Sequence, residues 1–406
     1  MKLAIICGSV IVIIIVVIIY LSTTHFKKIT YHKCLEKPHT DLLDGVLRKN
    51  GFSRNDQKYN FYMPCGYNNI EQELKNIDVP HSKYIFGLIG CDQIVSKNNL
   101  WDVLEKTYGR HSAKQLMPES FLIENPYQYA IALQEVRHGT VLICKKNLQR
   151  KLGLALVFTE DDLERAKKDD FKVAQRFLKN TTQIHGRKMN MRIYFMIRKH
   201  KGKIQFFVNT NGKVLYTKNK TTGNITFETH ITSFQMDSEL YEKENMPHDF
   251  NELKKVIGKE AYGRIWAKII DKIKYLSKAI APIFSEVKYE DKVCFQLFGM
   301  DVILEDGEPY ILELNKGPDM IPKCKKDDKL KKNIYESTFQ VAGLLKMRLK
   351  PSNYIKIYET DIAHPRYWLG SGPAYYKGVA GRYRSSGYIG NYFRGPASRN
   401  YTSSNH

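Results

Sequence analysis

The sequence has few of the patterns that mark zinc sites or disulfide frameworks. Its seven cysteines are scattered, no C-x-x-C pair occurs, and the twelve histidines show no zinc-ligand spacing. We therefore expect neither a structural zinc site nor a disulfide framework. Reduced thiols are typical of proteins in a reducing compartment, so the cysteine usage favours the cytoplasm.

Acidic residues are scarce relative to basic ones. The chain has 64 Lys and Arg against 42 Asp and Glu, which gives a formal net charge of +22. Such a surplus favours acidic partners such as nucleic acid, anionic lipid or an acidic protein tail, although a basic protein without such a partner would show it too. With 406 residues, the chain is long enough for two or three domains.

A long hydrophobic run lies at the start of the chain, from Leu3 to Leu21. Its length is close to the roughly 20 residues that a transmembrane helix needs. Only a poor cleavage site follows the run, which argues against the alternative of a cleaved signal peptide. Lysines are more frequent after the run than before it, which predicts that the bulk of the chain lies in the cytoplasm. We therefore expect residues 1–24 to anchor a single-pass membrane protein.

The most informative pattern is a predicted β-hairpin late in the chain. Residues 295–304 and 310–314 are rich in strand-forming residues, and an Asp-Gly turn signal lies between them. A three-residue loop with Gly307 in the left-handed conformation would pair Glu305 with Pro309. This register decides which side chains of the two strands become neighbours.

In that register, three oxygen-bearing side chains share one face of the hairpin. Asp301 lies opposite Glu313, and Asn315 points to the same side because it follows Glu313 by two residues. Two carboxylates on otherwise apolar strands repel each other unless a cation offsets their charge. These oxygen ligands suit Mg²⁺ that is held partly by protein and partly by phosphates. Unrelated polar residues on a solvated face are the alternative.

The segment FGMDVILEDGEPYILELNKGPDM resembles the signature of the tubulin–tyrosine ligase-like family, within the ATP-grasp superfamily. In that family an Asp, a Glu and an Asn in this order hold Mg²⁺ against ATP. The resemblance therefore implies that Asp301, Glu313 and Asn315 are metal ligands. It also implies that Asp301 and Asn315 contact the nucleotide and that Glu313 is catalytic. The likeness covers roughly residues 30–350.

Two earlier segments resemble nucleotide-binding parts of the same family. Residues 140–157 follow a K-x-N…R-x-x-G pattern, with Lys145 at a strand end and Arg150 and Gly153 in the loop. The strand around Gln175 resembles the hinge that meets adenine. The resemblance implies that these four residues bind the nucleotide. From the residues alone, a surface lysine and a plain core strand are the alternatives.

A third segment combines alternation with positive charge. Lys188, Asn190 and Arg192 alternate with apolar residues, which predicts a strand with one polar face. A buried arginine needs a partner, and a γ-phosphate is a suitable one. The family pattern is K-x-D-x-R, so Asn190 replaces an acid. The resemblance implies that Lys188 and Arg192 are catalytic and that all three residues bind the nucleotide. A surface edge strand is the alternative.

Two further departures from the family pattern follow. The family often has G-x-x-R where this chain has Leu215, so a contact is missing there or is supplied from elsewhere. The family has H-[LI]-T-N where this chain has Ser233. We assign His230 of that motif to the nucleotide site, with a loop-capping histidine as the alternative. Residues 204–208 and 213–216 are predicted to form a hairpin of their own.

Longer elements complete the chain. Residues 250–282 are predicted to form an amphipathic helix that Gly258 or Gly263 interrupts, and residues 333–349 a last helix. Residues after about 368 are rich in Gly, Ser, Tyr and Arg and lack an apolar period, which predicts a disordered tail. Interleaved Arg and Tyr are able to stack on RNA, although a solvated tail is the favoured interpretation.

The resemblance implies an α+β, ATP-grasp fold in which two α+β subdomains clamp ATP, with a small N-terminal α/β domain ahead of them. The predicted domains are a transmembrane anchor over residues 1–24, an N-terminal domain over 30–125, an ATP-grasp ligase domain over 126–350 and a basic, aromatic-rich tail over 351–406.

The function that the resemblance implies is ATP-dependent ligation of an amino acid to a protein carboxylate through an acyl-phosphate. ATP and Mg²⁺ are the expected cofactors, and the catalytic domain is expected to face the cytoplasm. The family attaches Tyr, Glu or Gly, above all to acidic tails of tubulin. Tubulin or another acidic tail, a free amino acid and the membrane are therefore the expected partners. A catalytically degenerate, membrane-anchored protein that binds acidic tails or nucleic acid is the alternative.

Overall fold

The computed structural model describes residues 29–32, 41–66, 69–147, 153–232, 239–345 and 352–362. Within these ranges, the helices are α1 Asp41–Lys49, α2 Ile70–Asn76, α3 Cys91–Val95, α4 Lys97–Tyr108, α5 Arg110–Leu116, α6 Pro126–Arg137, α7 Glu160–Lys168, α8 Phe227–His230, α9 Leu240–Lys243, α10 Phe250–Ile257, α11 Lys259–Ile280 and α12 Lys325–Ala342.

The strands alternate with these helices, so the described part of the chain is a mixed α/β structure. They are β1 Thr30–Tyr31, β2 Ser53–Arg54, β3 Phe61–Tyr62, β4 Tyr84–Phe86, β5 Ser120–Leu122, β6 Leu142–Lys145, β7 Leu154–Val157, β8 Val173–Arg176, β9 Gln183–Ile184, β10 Arg187–His200, β11 Lys203–Tyr216, β12 Val293–Glu305, β13 Glu308–Asn315 and β14 Tyr354–Asp361.

Local sequence explains where several helices begin. The side chain of Asn125 accepts hydrogen bonds from the first backbone N–H groups of α6, and proline occupies the first position of that helix. Thr159 and Asp162 form a capping box at the start of α7. These caps satisfy N–H groups that have no partner within the helix.

The larger sheet is built around β12. Its order in the described residues is β14-β11-β10-β12-β4-β3-β1-β2, with β13 paired to β12 and β9 to β10. The long strands β10, β11 and β12 are antiparallel, whereas β4 joins β12 in parallel. Four strands from the predicted N-terminal domain thus extend the sheet that carries β12. The division into domains stays a prediction.

The smaller sheet has the order β5-β8-β6-β7. One of its faces packs against α6 and α7 through apolar side chains such as Leu142, Cys144 and Leu163. Because neighbours along a strand point to opposite faces, Ile143 and Lys145 of β6 lie on the other face. That face is the one that carries a predicted site residue.

The core beside the larger sheet is aromatic. The ring of Phe295 on β12 lies 5.1 Å from that of Phe86 on β4 and 5.9 Å from that of Phe61 on β3, between centroids. Phe339 of α12 packs edge-on against all three rings. Burial of these rings holds α12 and the N-terminal strands on one face of the sheet.

The core-facing side of the sheet continues into a polar stretch. Tyr194 and Met196 of β10 belong to the aromatic core. Lys188, Asn190 and Arg192 lie on the same face of β10, because they follow the same two-residue alternation. The predicted polar face is therefore the continuation of the core-facing side of the sheet.

The predicted hairpin forms as β12 and β13, with a different turn. Asp306 and Gly307 form a two-residue loop, and both have positive φ, at 50° and 77°. This is the conformation that a tight hairpin turn requires and that Asp-Gly favours. Glu305 therefore pairs with Glu308, and the predicted three-residue loop is wrong.

A β-bulge nevertheless restores the predicted pairing farther along. The register shifts between Asp301 and Val302, so that Leu312 of β13 is left as the extra residue. Asp301 pairs with Glu313, as predicted. The one-residue error at the turn and the one-residue bulge cancel.

The predicted long helix over residues 250–282 is broken once. Gly258 has φ of +88° and separates α10 from α11, whereas Gly263 lies within α11. A left-handed φ ends a helix, and glycine adopts it without strain.

The predicted hairpin over residues 204–216 is wrong, because β11 is one continuous strand. The turn signal at Asn209 to Gly212 marks an irregularity in the pairing with β10. There the side chain of Asn209 accepts the N–H of Asn211 at 3.0 Å. The extra residues are therefore absorbed by a bulge and not by a turn.

The C-terminal elements also differ from the prediction. α12 begins at Lys325, eight residues before the predicted start, and ends where Gly343 has φ of +83°. β14 lies in the segment that was assigned to the tail, and it pairs with β11. Residues 363–406 lie outside the described part.

The predictions of a transmembrane helix and of a membrane localisation are wrong for the described residues. Among the described residues, no helix combines the length and apolar character that a bilayer crossing requires. The longest of them, α11, is amphipathic and carries charged residues along its exposed side. The segment predicted as the anchor, residues 1–24, lies outside the described residues.

The expectation of reduced thiols is wrong for one cysteine. Cys65 is disulfide-bonded. Cys91, Cys144, Cys294 and Cys324 are free.

Replacing Phe339 by Ala tests the aromatic core. The change removes a fully buried ring and leaves a cavity, so we expect a loss of about 3–5 kcal/mol in the free energy of unfolding. Chemical denaturation followed by tryptophan fluorescence measures it. Tyr127→Ala is the control, since Tyr127 is 75% exposed and its loss should change stability by less than about 0.5 kcal/mol. Equal effects of the two changes would contradict this packing.

Candidate functional site

An ion pair joins the two central strands of the larger sheet. Arg192 of β10 lies opposite Asp301 of β12. The Nε and Nη2 groups of Arg192 both donate to the Asp301 carboxylate, with Nη2 3.0 Å from Oδ2. A side chain at Gly299 would crowd this arginine, because a Cβ there would lie 3.0 Å from its Cδ. Although burial opposes its charge, Asp301 holds the pKa of Arg192 above the ordinary value.

The second carboxylate is bound on both of its oxygens. Asn315 donates from Nδ2 to Oε1 of Glu313 at 3.0 Å, and the Nζ of Lys97 lies 3.6 Å from Oε2. Burial alone would raise the pKa of Glu313, but Lys97 and Lys145 hold it below the ordinary value. Glu313 is therefore ionised at neutral pH.

The three predicted metal ligands lie on one face of the hairpin. Asp301 pairs with Glu313, and Gly299 with Asn315, so the three side chains point to the same side. The amide nitrogen of Asn315 donates to Glu313, so its side-chain oxygen is the atom that could join the carboxylates as a metal ligand. Such hard donors fit Mg²⁺.

Lys145 approaches this face from the smaller sheet. Its Nζ donates to Oε1 of Gln175 at 2.7 Å, and Gln175 donates in turn to Oγ of Ser120 at 2.9 Å. Burial lowers the pKa of Lys145 to about 8, while Glu313 and Asp301 act to raise it. The lysine of one sheet thus interacts electrostatically with the carboxylates of the other.

Lys188 lies near the start of β10. Its Nζ donates to the backbone oxygen of Lys179 at 2.7 Å and lies 5.6 Å from the ring centre of Phe177. Burial lowers its pKa to about 8, opposed by Glu305. Burial and then Lys188 lower the pKa of His230 to about 4, so that histidine is neutral at physiological pH. The structure thus brings Lys188 and His230 together.

Asn190 lies between the two cationic residues of β10. It is 3% exposed, and its Oδ1 has no hydrogen-bond partner within the described ranges. Its cross-strand neighbours are Ile303 on β12 and Leu215 on β11. The two departures from the family pattern, Asn190 and Leu215, are therefore direct neighbours.

The predicted phosphate loop is described only in part. Gly153 accepts a hydrogen bond from the backbone N–H of Lys146 at 2.8 Å, and a Cβ on Gly153 would lie 2.7 Å from the Cβ of Lys146. Only glycine permits the ends of the loop to come this close. Arg150 and Ser233 lie outside the described residues.

Sequence reasoning missed Lys97. This residue opens α4, and its backbone N–H donates to Oδ1 of Asn147, just after β6, at 3.0 Å. Its ammonium reaches Glu313, as described above. A lysine in the first turn of a helix is unfavourable next to the positive end of the helix dipole. That local conflict is the signal that could have marked Lys97.

A cavity of about 380 Å³ lies beside the predicted hinge strand. Arg176 and Leu178 line it from the hinge, and Tyr310 lines it from β13. Neither Asp301 nor Glu313 contributes to its wall. The cavity therefore lies beside the hinge strand and does not include the carboxylate face, by which we mean the hairpin face that carries Asp301 and Glu313.

The chain is similar to proteins of one known family. A family model described as "Tubulin-tyrosine ligase family" matches residues 81–350. The chain is 23% identical over 182 residues to the probable tubulin polyglutamylase TTLL9 of Rattus norvegicus, covering 42% of this chain and 38% of that protein. It is 22% identical over 315 residues to the probable alpha-tubulin polyglutamylase Ttll1 of Tetrahymena thermophila, covering 72% and 74%.

A human relative gives a similar result. The probable tubulin polyglutamylase TTLL2 of Homo sapiens is 26% identical over 274 residues, which is 60% of this chain and 43% of that protein. The chain thus spans about two fifths of the length of TTLL9 and of TTLL2.

The family match spans both strands of the carboxylate hairpin and the strand that ends in Lys145. The mixed α/β architecture fits an ATP-grasp-like fold, in agreement with the predicted fold apart from its transmembrane helix. The family model matches well over half of this chain, and the chain therefore belongs to the tubulin-tyrosine ligase family.

Proposed function

We propose that this protein is an ATP-dependent ligase that adds glutamate to a carboxylate of an acidic protein tail, with tubulin as the first candidate acceptor. The observation that carries the proposal is the convergence of Asp301, Glu313 and Asn315 on one face, with Lys145 close by. The relatives are named as probable tubulin polyglutamylases, and these names support glutamate as the added amino acid and tubulin as the acceptor. The net charge of +22 suits an acidic acceptor.

Each charged side chain has a role in this proposal. Asp301, Glu313 and Asn315 would hold Mg²⁺, which supplies positive charge to the phosphates of ATP when it is bound. Lys145 would contact the phosphates from the smaller sheet. Arg192 would stabilise the charge on the transferred phosphoryl group, because a fixed guanidinium needs no reorganisation.

Three other side chains would complete the nucleotide site. Lys188 would hold the nucleotide near the hinge, where Gln175 positions Lys145 by a hydrogen bond. Lys97 lies near Glu313 and would add a fourth cation at the phosphate end. Four cations against two carboxylates leave a positive surplus, which suits a triphosphate.

The proposed reaction has two steps. A carboxylate oxygen of the acceptor attacks the γ-phosphorus of ATP, the bond to the bridging oxygen breaks, and ADP leaves with the electron pair. The amine of glutamate then attacks the acyl carbon of the acyl-phosphate, phosphate leaves, and the nitrogen loses a proton to solvent. The product is an amide. Neither step needs a side-chain nucleophile, since positioning and charge neutralisation do the work.

Glu313→Gln tests the carboxylate face, because the change removes one charge and keeps the size of the side chain. We expect ATP-dependent incorporation of labelled glutamate into tubulin to fall at least about 100-fold. Glu308→Gln is the matched control on the same strand, since Glu308 lies at the exposed turn. A Glu313→Gln protein as active as the parent would favour a binding protein without turnover.

Arg192→Lys tests the guanidinium. Lysine keeps the charge but loses the paired donors, so we expect kcat to fall about 10- to 100-fold, with a smaller change in ATP affinity. Steady-state kinetics with varied ATP measures both. Arg198→Lys is the control on the same face of β10, where Arg198 donates to Gln205 outside the site. Equal losses in the two variants would argue against a special role for Arg192.

The pH dependence of nucleotide binding tests the two buried lysines. Burial lowers the pKa of Lys145 and of Lys188 to about 8, so both are charged below that pH and neutral above it. The dissociation constant for ATP should therefore rise between roughly pH 7 and pH 9.5. Titration of a fluorescent ATP analogue measures it. A constant value across this range would remove both lysines from the phosphate site.

A further inference from the structure

Charged residues lie opposite one another on four neighbouring strands of the larger sheet. Lys213 of β11 lies opposite Arg192, which lies opposite Asp301, which lies opposite Glu313. Because directly opposed residues share a face of the sheet, four charged side chains form one row. The two cations lie at one end of the row, and the two carboxylates lie at the other.

Lys213 is held by a buried carboxylate of α12. Its Nζ lies 3.0 Å from Oδ1 of Asp327, and the Nζ of Lys331 lies 2.8 Å from Oδ2. The imidazole Nε2 of His248 lies 3.6 Å from the same Oδ1. Asp327 and Lys331 are almost fully buried, whereas the side chain of Lys213 keeps a tenth of its surface exposed.

The cluster has more ammonium groups than carboxylates, since the other acid that acts on Lys331, Asp319, is exposed and pairs with Lys323. Two ammonium groups share one carboxylate, and Arg192 beside them is engaged with Asp301. An ammonium group offers three donors, of which Asp327 takes one from Lys213. Buried positive charge in excess of its partners attracts an anion.

The sequence around Lys213 points in the same direction. Leu215 occupies the position where the family pattern often has arginine, and Lys213 lies two residues earlier on the same face of β11. The neighbour of Leu215 across the strands is the uncharged Asn190. The cation on this part of β11 is therefore Lys213, which lies opposite Arg192.

We propose that Lys213, positioned by Asp327, binds a carboxylate of a substrate on the side of Arg192 that faces away from Asp301. The inference rests on the proposed ligase function and names one substrate-binding residue of that site. Two substrates carry such a group, the free amino acid and the acidic acceptor, and the experiment separates them.

The experiment compares full-length variants by kinetics and by binding. Lys213→Met should raise the KM for one substrate, glutamate or tubulin, at least about 10-fold, while ATP affinity stays within about 2-fold. The substrate whose KM rises is the source of the carboxylate. Adding Leu215→Arg to this variant returns a cation to the same face and should restore at least a third of the lost affinity.

A structural role for Lys213 predicts a different result, and Lys331→Met tests it. Lys331 shares Asp327 but also donates to the backbone oxygen of Ile321 at 2.8 Å. Its loss should lower the melting temperature and leave both KM values unchanged. An equal rise in KM for Lys331→Met and Lys213→Met, or no rise in either, would overturn the proposal.

Two further measurements test the role of Lys213 if ligase activity is absent or if the Lys213→Met variant does not fold. Calorimetric titration of L-glutamate and of a polyglutamate peptide into the protein with Mg-ADP needs no turnover, so it tests Lys213 even if ligase activity is absent. If Lys213→Met does not fold, Leu215→Arg in the parent should tighten binding of one probe at least about 3-fold. Unchanged binding of both probes in that variant would overturn the proposal.

Discussion

The ion pair between Arg192 and Asp301 is the contact on which the rest of the site depends. It fixes the side chains of two adjacent antiparallel strands, and the pairing of Asp301 with Glu313 extends the arrangement to β13. A one-residue slip of β12 would turn its carboxylate to the opposite face. The absence of a side chain at Gly299 leaves the space in which Arg192 lies. Sheet register therefore determines the chemistry of this face.

Much of this arrangement could be predicted from sequence, although the predicted pairing of Asp301 with Glu313 was correct only because two differences in register offset each other. Alternation along β10 and β13 correctly indicated which residues share a face. The pairing of Asp301 with Glu313 depended on a loop that is one residue shorter than predicted and on a bulge that no turn signal reveals. Bulges depend on pairing between strands, so a local pattern does not show them.

The residues that sequence reasoning missed come from distant parts of the chain. Lys97 reaches Glu313 from α4, and Lys213 lies opposite Arg192 because β11 is one long strand where two were predicted. Contacts of this kind are set by tertiary packing, which overrides local turn preference. Cysteine spacing and hydropathy are also local signals. Cysteine spacing did not indicate the disulfide at Cys65, and hydropathy predicted a transmembrane helix that the described residues do not contain.

We propose that Asp301, Glu313 and Asn315 present a divalent cation to a nucleotide. Electron paramagnetic resonance of Mn²⁺, with a non-hydrolysable ATP analogue, tests this claim most directly. The account predicts that Mn²⁺ binds when the nucleotide is present and that Asp301→Asn weakens this binding at least about 10-fold. Mn²⁺ binding that is the same in the parent and the variant, or that ignores the nucleotide, would contradict it.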